Sequence, residues 1–152
     1  MNPTVATRLT AAALLAAALT GCGPYTLRGL VVDGPDPGAW VVSPDDPRLE
    51  SVGVPDASIT LVLDPRSLGR KELGRFLSDS EGRIAIPVDV LGAGFLEEDF
   101  GLVVRRAGFQ TLDETIRLPS GDNRLLVVLK RGPDTYRPPT DPFREARPYL
   151  NQ

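Results

Sequence analysis

The chain has 152 residues, with 17 lysines and arginines against 20 aspartates and glutamates, no histidine and one cysteine, for a net charge of −3 at pH 7. That balance gives no basic field for nucleic acid and argues against a polybasic grip on lipid headgroups. Without histidine there is no Ser-His-Asp triad, imidazole base or His-ligated metal, and a lone cysteine allows neither an internal disulfide nor a cysteine-based zinc site.

The first element reads as a helical signal peptide over residues 1–21: a polar stretch with Arg8, an apolar run from Leu9 to Leu19, then small residues. A membrane span needs about 20 apolar residues, and this run is interrupted by Thr10 and Thr20 and followed by Gly21, Gly23 and Pro24. Leu19-Thr20-Gly21-Cys22 places the only cysteine at the end of that signal. The tetrapeptide resembles the lipobox of bacterial lipoproteins. The resemblance implies cleavage before Cys22, a diacylglyceryl group on its sulfur, an acyl chain such as palmitate on its amine, and hence the membrane as a partner. Several acyl chains, at about 0.8 kcal/mol per buried CH₂, hold a protein where one does not. Gly23 follows the cysteine where an aspartate would be the inner-membrane retention signal of enteric bacteria, so the resemblance points to the cell envelope and to the outer membrane.

Residues 22–24 then form the lipidated N-terminus and a short linker; at about 3.5 Å per residue, the domain can stand scarcely 15 Å from the bilayer. Cleavage leaves about 130 residues, enough for one domain with one core.

Short strands follow in order: Leu27 to Val32, Ser58 to Leu63, Arg83 to Pro87, Leu102 to Arg105, Glu114 to Leu118 and Leu125 to Lys130. They are separated by Gly, Pro, Asp and Ser clusters, and no segment keeps a helical period. Ala57, Ile59, Leu61 and Leu63 alternate with Ser58, Thr60 and Val62, as in a strand with one face buried. The run Leu125-Leu126-Val127-Val128-Leu129 is apolar on both faces, so it is expected to be covered on both. Asp33 to Gly53 is a long connection with four prolines, in whose middle Trp40-Val41-Val42 is expected to pack or pair. Ser67 to Gly74 is polar and is expected to cross between sheets. Asp79-Ser80-Glu81-Gly82 has the chemistry of a tight hairpin, because Asp79 can bond its own backbone and Gly82 can take positive φ. Such strands predict an all-β fold, a single Greek-key-type β-sandwich of about seven strands over residues 25–131, followed by a Pro-rich tail over 132–152.

Four blocks carry a second resemblance: Gly29-Leu30-Val31-Val32-Asp33, Val54-Pro55-Asp56-Ala57-Ser58-Ile59-Thr60-Leu61, Ser78 to Pro87, and Leu102 to Phe109. In this order they are similar to carboxypeptidase regulatory-like domains, which are transthyretin-like sandwiches of about seven strands. That fold includes a ureide hydrolase dependent on histidines and a C-terminal Tyr-Arg-Gly-Ser, of which Tyr136-Arg137-Pro138-Pro139 shares only the first two residues. Iron dioxygenases with a related sandwich also need histidine ligands. Neither activity carries over to a chain without histidine, and no cofactor or metal is expected.

Glu97, Glu98 and Asp99, and the pair Asp113-Glu114, are the acids that could serve a glycosidase, which needs two carboxyls about 5 to 9 Å apart across a cleft. Adjacent acids on a loop read instead as a solvated face. Phe109, after the Ala107-Gly108 turn, reads as a core plug. Trp40 reads as a lid over the core, with a sugar-stacking platform as the alternative. The tail holds Tyr136, Phe143 and Tyr149 among its prolines, unusual for a solvating linker, and is expected to dock on its own sandwich or on a partner. Extended as polyproline II it would reach on the order of 65 Å.

The expected function is a membrane-anchored, non-catalytic binding or structural accessory module of the cell envelope, with an envelope protein as partner. The alternative is a carbohydrate or envelope-polymer binder. The candidate binding residues are Trp40, Tyr136, Phe143 and Tyr149.

Overall fold

The computed structural model of the protein describes residues 25–90, 93, 94, 98–134, 136 and 137. The signal peptide, Cys22, Phe143 and Tyr149 lie outside the described residues. Eight strands follow in order: β1 (Tyr25–Asp33), β2 (Gly38–Val42), β3 (Ser58–Leu63), β4 (Lys71–Leu77), β5 (Arg83–Val88), β6 (Asp99–Arg105), β7 (Leu112–Arg117) and β8 (Arg124–Leu129). They form two four-stranded sheets in the orders β2-β8-β1-β5 and β4-β3-β6-β7, here called the first and second sheets. The fold is an all-β sandwich. Every pairing is antiparallel except that of β1 with β8, where Gly29 to Asp33 lie beside Leu125 to Leu129 in parallel.

Alternation builds the core between the sheets. Leu27 and Val31 of β1 and Leu125, Val127 and Leu129 of β8 meet Ile59 and Leu61 of β3 and Phe100, Leu102 and Val104 of β6. Phe109 is buried in this cluster, as its position after a turn predicts. β1 and β8 are buried on their outer faces too. Leu30, Val32, Leu126 and Val42 form a second cluster, roofed by Leu49. Leu49 belongs to a 3₁₀ turn, Pro47–Glu50, whose N-cap Asp46 accepts from the Arg48 backbone amide at 3.0 Å and is gripped by the Arg48 guanidinium at 2.8 Å. The Arg48 side chain, then its backbone amide, hold the Asp46 carboxyl down at about 2.

The described residues form eight strands, in keeping with the expected sandwich of about seven, and the two that the sequence reading left out, β2 and β4, lie at sheet edges. Trp40-Val41-Val42 pairs as expected: Gly38 to Val42 run antiparallel to β8 as β2. Two expectations need correction, the crossing at Ser67 to Gly74 and the hairpin at Asp79 to Gly82. The stretch Ser67 to Gly74 does not cross between sheets. Its first residues turn through Ser67 N–H to Asp64 C=O and Arg70 N–H to Ser67 C=O, and Lys71 onward returns as β4 against β3.

The actual sheet switch is Asp79-Ser80-Glu81-Gly82, expected as a hairpin turn. Its turn chemistry is as read: Asp79 Oδ1 accepts from Glu81 and Arg83 amides at 3.0 and 2.8 Å, and Gly82 has φ +77°. It joins β4 of the second sheet to β5 of the first, because Gly82 is already tied to β1, the partner of β5, and not to β4. Its carbonyl accepts from Val31 N–H at 2.9 Å, and a Cβ there would come within 2.5 Å of the Val54 nitrogen.

Among the described residues no helix is long and apolar enough to cross a membrane.

Candidate functional site

The register gives the sandwich two distinguishable ends. Tyr25 opens β1 opposite Val88, the last residue of β5, and its hydroxyl donates to the Pro119 carbonyl at 2.6 Å, so the loop after β7 lies here. Arg117, ending β7, pairs with Asp99, and Phe100 pairs with Leu63, ending β3. The hairpin loop 64–70 therefore projects from the same end as Tyr25. Asp33 and Leu129 mark the opposite end, where Arg131 is ion-paired to Asp33 at 2.5 Å. Nine residues of β1 at about 3.3 Å each separate the ends by about 30 Å. β1 thus begins, and β8 thus ends, at opposite ends of the sandwich.

The chain beyond β8 first docks on its own sandwich. Arg131 bridges to Phe109 and its guanidinium lies 5.2 Å from that ring. Asp134 Oδ1 accepts from the Tyr136 amide at 3.0 Å and, at 3.4 Å, from the Thr111 amide. The Thr111 side chain, then these amides, hold the Asp134 carboxyl below its usual range, although the buried Thr111 hydroxyl forms no well-shaped hydrogen bond. Tyr136 lies against the outer face of the second sheet, with the Arg105 guanidinium 4.6 Å from its ring centre. Partial burial, then Asp113, push the Tyr136 hydroxyl up, against Arg105 and Arg70. Because Asp134 is shifted downward, its contribution to this docking is expected to be full above the ordinary carboxyl range and to fade as acid protonates it. Asp134→Ala is expected to raise the rate of tryptic cleavage at Arg131 about threefold at neutral pH, read by mass spectrometry.

Two open grooves occupy the outer faces. One, of about 670 Å³, runs along the second sheet beneath Tyr136, lined by Ser58, Thr60, Glu72, Arg75, Arg105 and Asp113. The other, of about 630 Å³, lies on the first sheet between Leu49 and the β5 edge and carries Arg28, Arg83 and Arg124 with Asp79. Arg83 faces Glu81 at 3.8 Å, and Arg124 donates to the Asp122 and Asn123 carbonyls. Sequence reasoning missed this groove. Its signal is the alternation of Arg28 and Leu30 on the outward positions of β1.

The aromatics named from sequence are not brought together. Trp40 does not close over the core. It sits on the outer face of β2, 40% exposed, with its indole across Gly38. Tyr136 is on the other sheet. Tyr25, half-buried against Gly94, has its hydroxyl pushed up by burial, against the opposing pull of Arg124, and that hydroxyl is spent on Pro119. One glycan therefore could not engage Trp40 and Tyr136 together.

The acidic pairs separate likewise. Asp113 lines the Tyr136 groove, whereas Glu114 turns to the other face of β7 and accepts from the Ala39 amide of β2 at 3.1 Å. Asp99 faces Arg117 at 3.8 Å. Asp113 and Glu114 thus cannot flank one glycosidic bond. Among the described residues, no three His, Cys, Asp or Glu side chains gather as a metal site.

No protein-family model matches the chain, and no curated protein matches it. Among solved structures, the crystal structure of 3-chlorocatechol 1,2-dioxygenase from Rhodococcus opacus 1CP is similar over 74% of this chain, at 13% identity and a TM-score of 0.40. The match spans 62% of that enzyme's chain, less than two thirds of its length.

Proposed function

We propose that the protein is a lipid-anchored, non-catalytic binding or structural accessory module of the cell envelope, a bacterial lipoprotein of the outer membrane with a carboxypeptidase regulatory-like sandwich. The observation that carries this reading is the placement of the only cysteine, at the end of Leu19-Thr20-Gly21-Cys22 and three residues before β1. An anchor there holds one end of the sandwich at the bilayer. The parallel pairing of β1 and β8 ends β8 about 30 Å from that anchored end, and we read the tail beyond Arg137 as the segment offered to an envelope partner.

In-cell cross-linking and affinity capture, comparing the full chain with one ending at Arg137, tests the partner. The shortened chain keeps the residues that dock on the sandwich. A specific envelope protein recovered with the full chain and lost with the shortened one supports the reading; recovery of no protein from either weighs against it.

A second reading, binding of a glycan or envelope polymer, is favoured by the groove under Tyr136, where an aromatic ring adjoins hydroxyls and charged side chains. Since Trp40 and Tyr136 lie on opposite sheets, retention on a wall-polymer column is expected to fall about tenfold in only one of Trp40→Ala and Tyr136→Ala, the loss of one stacked ring. Equal retention of both variants and the parent would exclude either ring as the platform.

A further inference from the structure

We infer that the β3–β4 hairpin tip, Arg66-Ser67-Leu68-Gly69-Arg70-Lys71, is a membrane-contacting loop that sets Leu68 among anionic lipid headgroups. The inference rests on the anchored reading and adds to it a second, non-covalent contact that fixes how the sandwich stands on the bilayer.

Leu68 is 90% exposed, an apolar side chain at the tip of a loop with no apolar neighbour to cover it. It is flanked by three cations, Arg66, Arg70 and Lys71, all exposed. None of the three is ion-paired to an acid among the described residues, whereas Arg75, the next cation along β4, is tied to Glu72 at 3.3 Å. Arg70 also lines the groove under Tyr136, while Arg66 and Lys71 stand clear of it. An isolated leucine in water is ordinary, but a leucine flanked by exposed cations matches the headgroup layer, where the apolar group reaches the acyl boundary and the cations meet phosphate. The net charge of −3 hides this arrangement, since it sums over a whole surface on which the cations gather locally.

Topology places the tip where the contact is needed. Loop 64–70 leaves the same end as Tyr25, and Cys22 is at most about 11 Å from Tyr25 by chain length. The anchor and the tip belong to different sheets, about 10 Å apart, so together they hold the domain against rocking about the anchor. Val52 offers an internal contrast: it is 91% exposed, but its neighbour Gly53 bridges to Val32 near the far end of β1.

The single cysteine makes the test clean, because Cys22, once acylated, leaves an introduced cysteine as the only free thiol. The processed full chain carrying Leu68→Cys or Val52→Cys is labelled with a polarity-sensitive nitrobenzoxadiazole dye. It is then reconstituted on vesicles of phosphatidylcholine alone or with 30% phosphatidylglycerol. The expected result is a blue shift and quenching by shallow spin-labelled lipid at position 68 with phosphatidylglycerol, weaker without it, and water-like emission at position 52. Adding Arg66→Gln and Lys71→Gln is expected to remove the dependence on phosphatidylglycerol. Water-like emission at position 68 on vesicles that carry the protein would overturn this inference and leave the anchor intact, as would equal shifts at 68 and 52. Failure of the parent chain to float with vesicles would overturn the anchored reading and this inference with it.

Discussion

Replacing Cys22 by serine is expected to abolish incorporation of labelled palmitate and to move the protein from the membrane fraction to the soluble one. The size of the effect follows from the chemistry of the anchor. An acyl chain burying about 14 CH₂ groups at about 0.8 kcal/mol each contributes on the order of 10 kcal/mol, and a diacylglyceryl group brings two such chains. Serine offers no thiol to form the thioether, so both are lost together. Nothing else among the described residues replaces them: the hairpin tip holds one apolar residue and three cations, at about 1 kcal/mol per cation near an anionic surface. For variant chain freed of its signal peptide, the membrane-bound fraction should therefore fall by several orders of magnitude in partition coefficient. Palmitate labelling is the decisive readout, because an uncleaved signal peptide could retain some variant protein on membranes without any lipid. A parent chain that takes up no palmitate, or a serine variant that takes up as much as the parent, would remove the anchor from the reading.

The sequence showed the four strands inside the sheets and the edge strands β5 and β7, and missed the edge strands β2 and β4, for physical reasons. β3 alternates cleanly because it faces the core on one side, and the unbroken apolar run of β8 told that it is covered on both, by the other sheet and by the roof at Leu49. β4 hides itself. A bulge, where the partners shift between Leu61 opposite Gly74 and Val62 opposite Glu72, lets Leu73 and Phe76, three residues apart, both turn toward the core. Its apolar spacing is then neither that of a strand nor that of a helix, and its Lys71, Glu72 and Arg75 are the charges by which an edge strand avoids pairing with another chain. β2 is five residues between Pro37 and Pro44, and its edge is closed by the Glu114 carboxylate, a contact across 75 residues that local pattern cannot reveal. The same limit applies to the site. Sequence could name Trp40 and Tyr136 as candidate binding aromatics, but only the pairing of β2 with β8 and the docking of Tyr136 over Arg105 put them on different sheets.

Ser78→Ala is expected to destabilise the sandwich by about 2–4 kcal/mol, out of roughly 5–15 for a domain of this size. Ser78 is 3% exposed and its hydroxyl serves two partners at once: it donates to the Val54 carbonyl at 2.8 Å and accepts from the Ala57 amide at 2.9 Å. Those partners belong to the segment that enters β3, while Ser78 itself leads from β4 into the sheet-switching turn. Its own backbone is tied in as well, by Ser78 N–H to Ala57 C=O and Asp56 N–H to Ser78 C=O. The hydroxyl thus fastens the entry to one strand against the exit from its neighbour, next to the place where Gly82 meets Val54. Alanine leaves both the carbonyl and the amide without that partner in a site closed to water, at about 1–3 kcal/mol for each buried group left unpaired. The neighbouring Ser80 is exposed and its hydroxyl reaches only Glu81, so Ser80→Ala should stay within about 0.5 kcal/mol of the parent. Urea titration of the two variants separates the cases: the midpoint should fall for Ser78→Ala at unchanged slope and stay in place for Ser80→Ala. An unmoved midpoint for Ser78→Ala would mean that the turn holds its geometry through Gly82 and Val31 alone, and that the buried hydroxyl is a passenger.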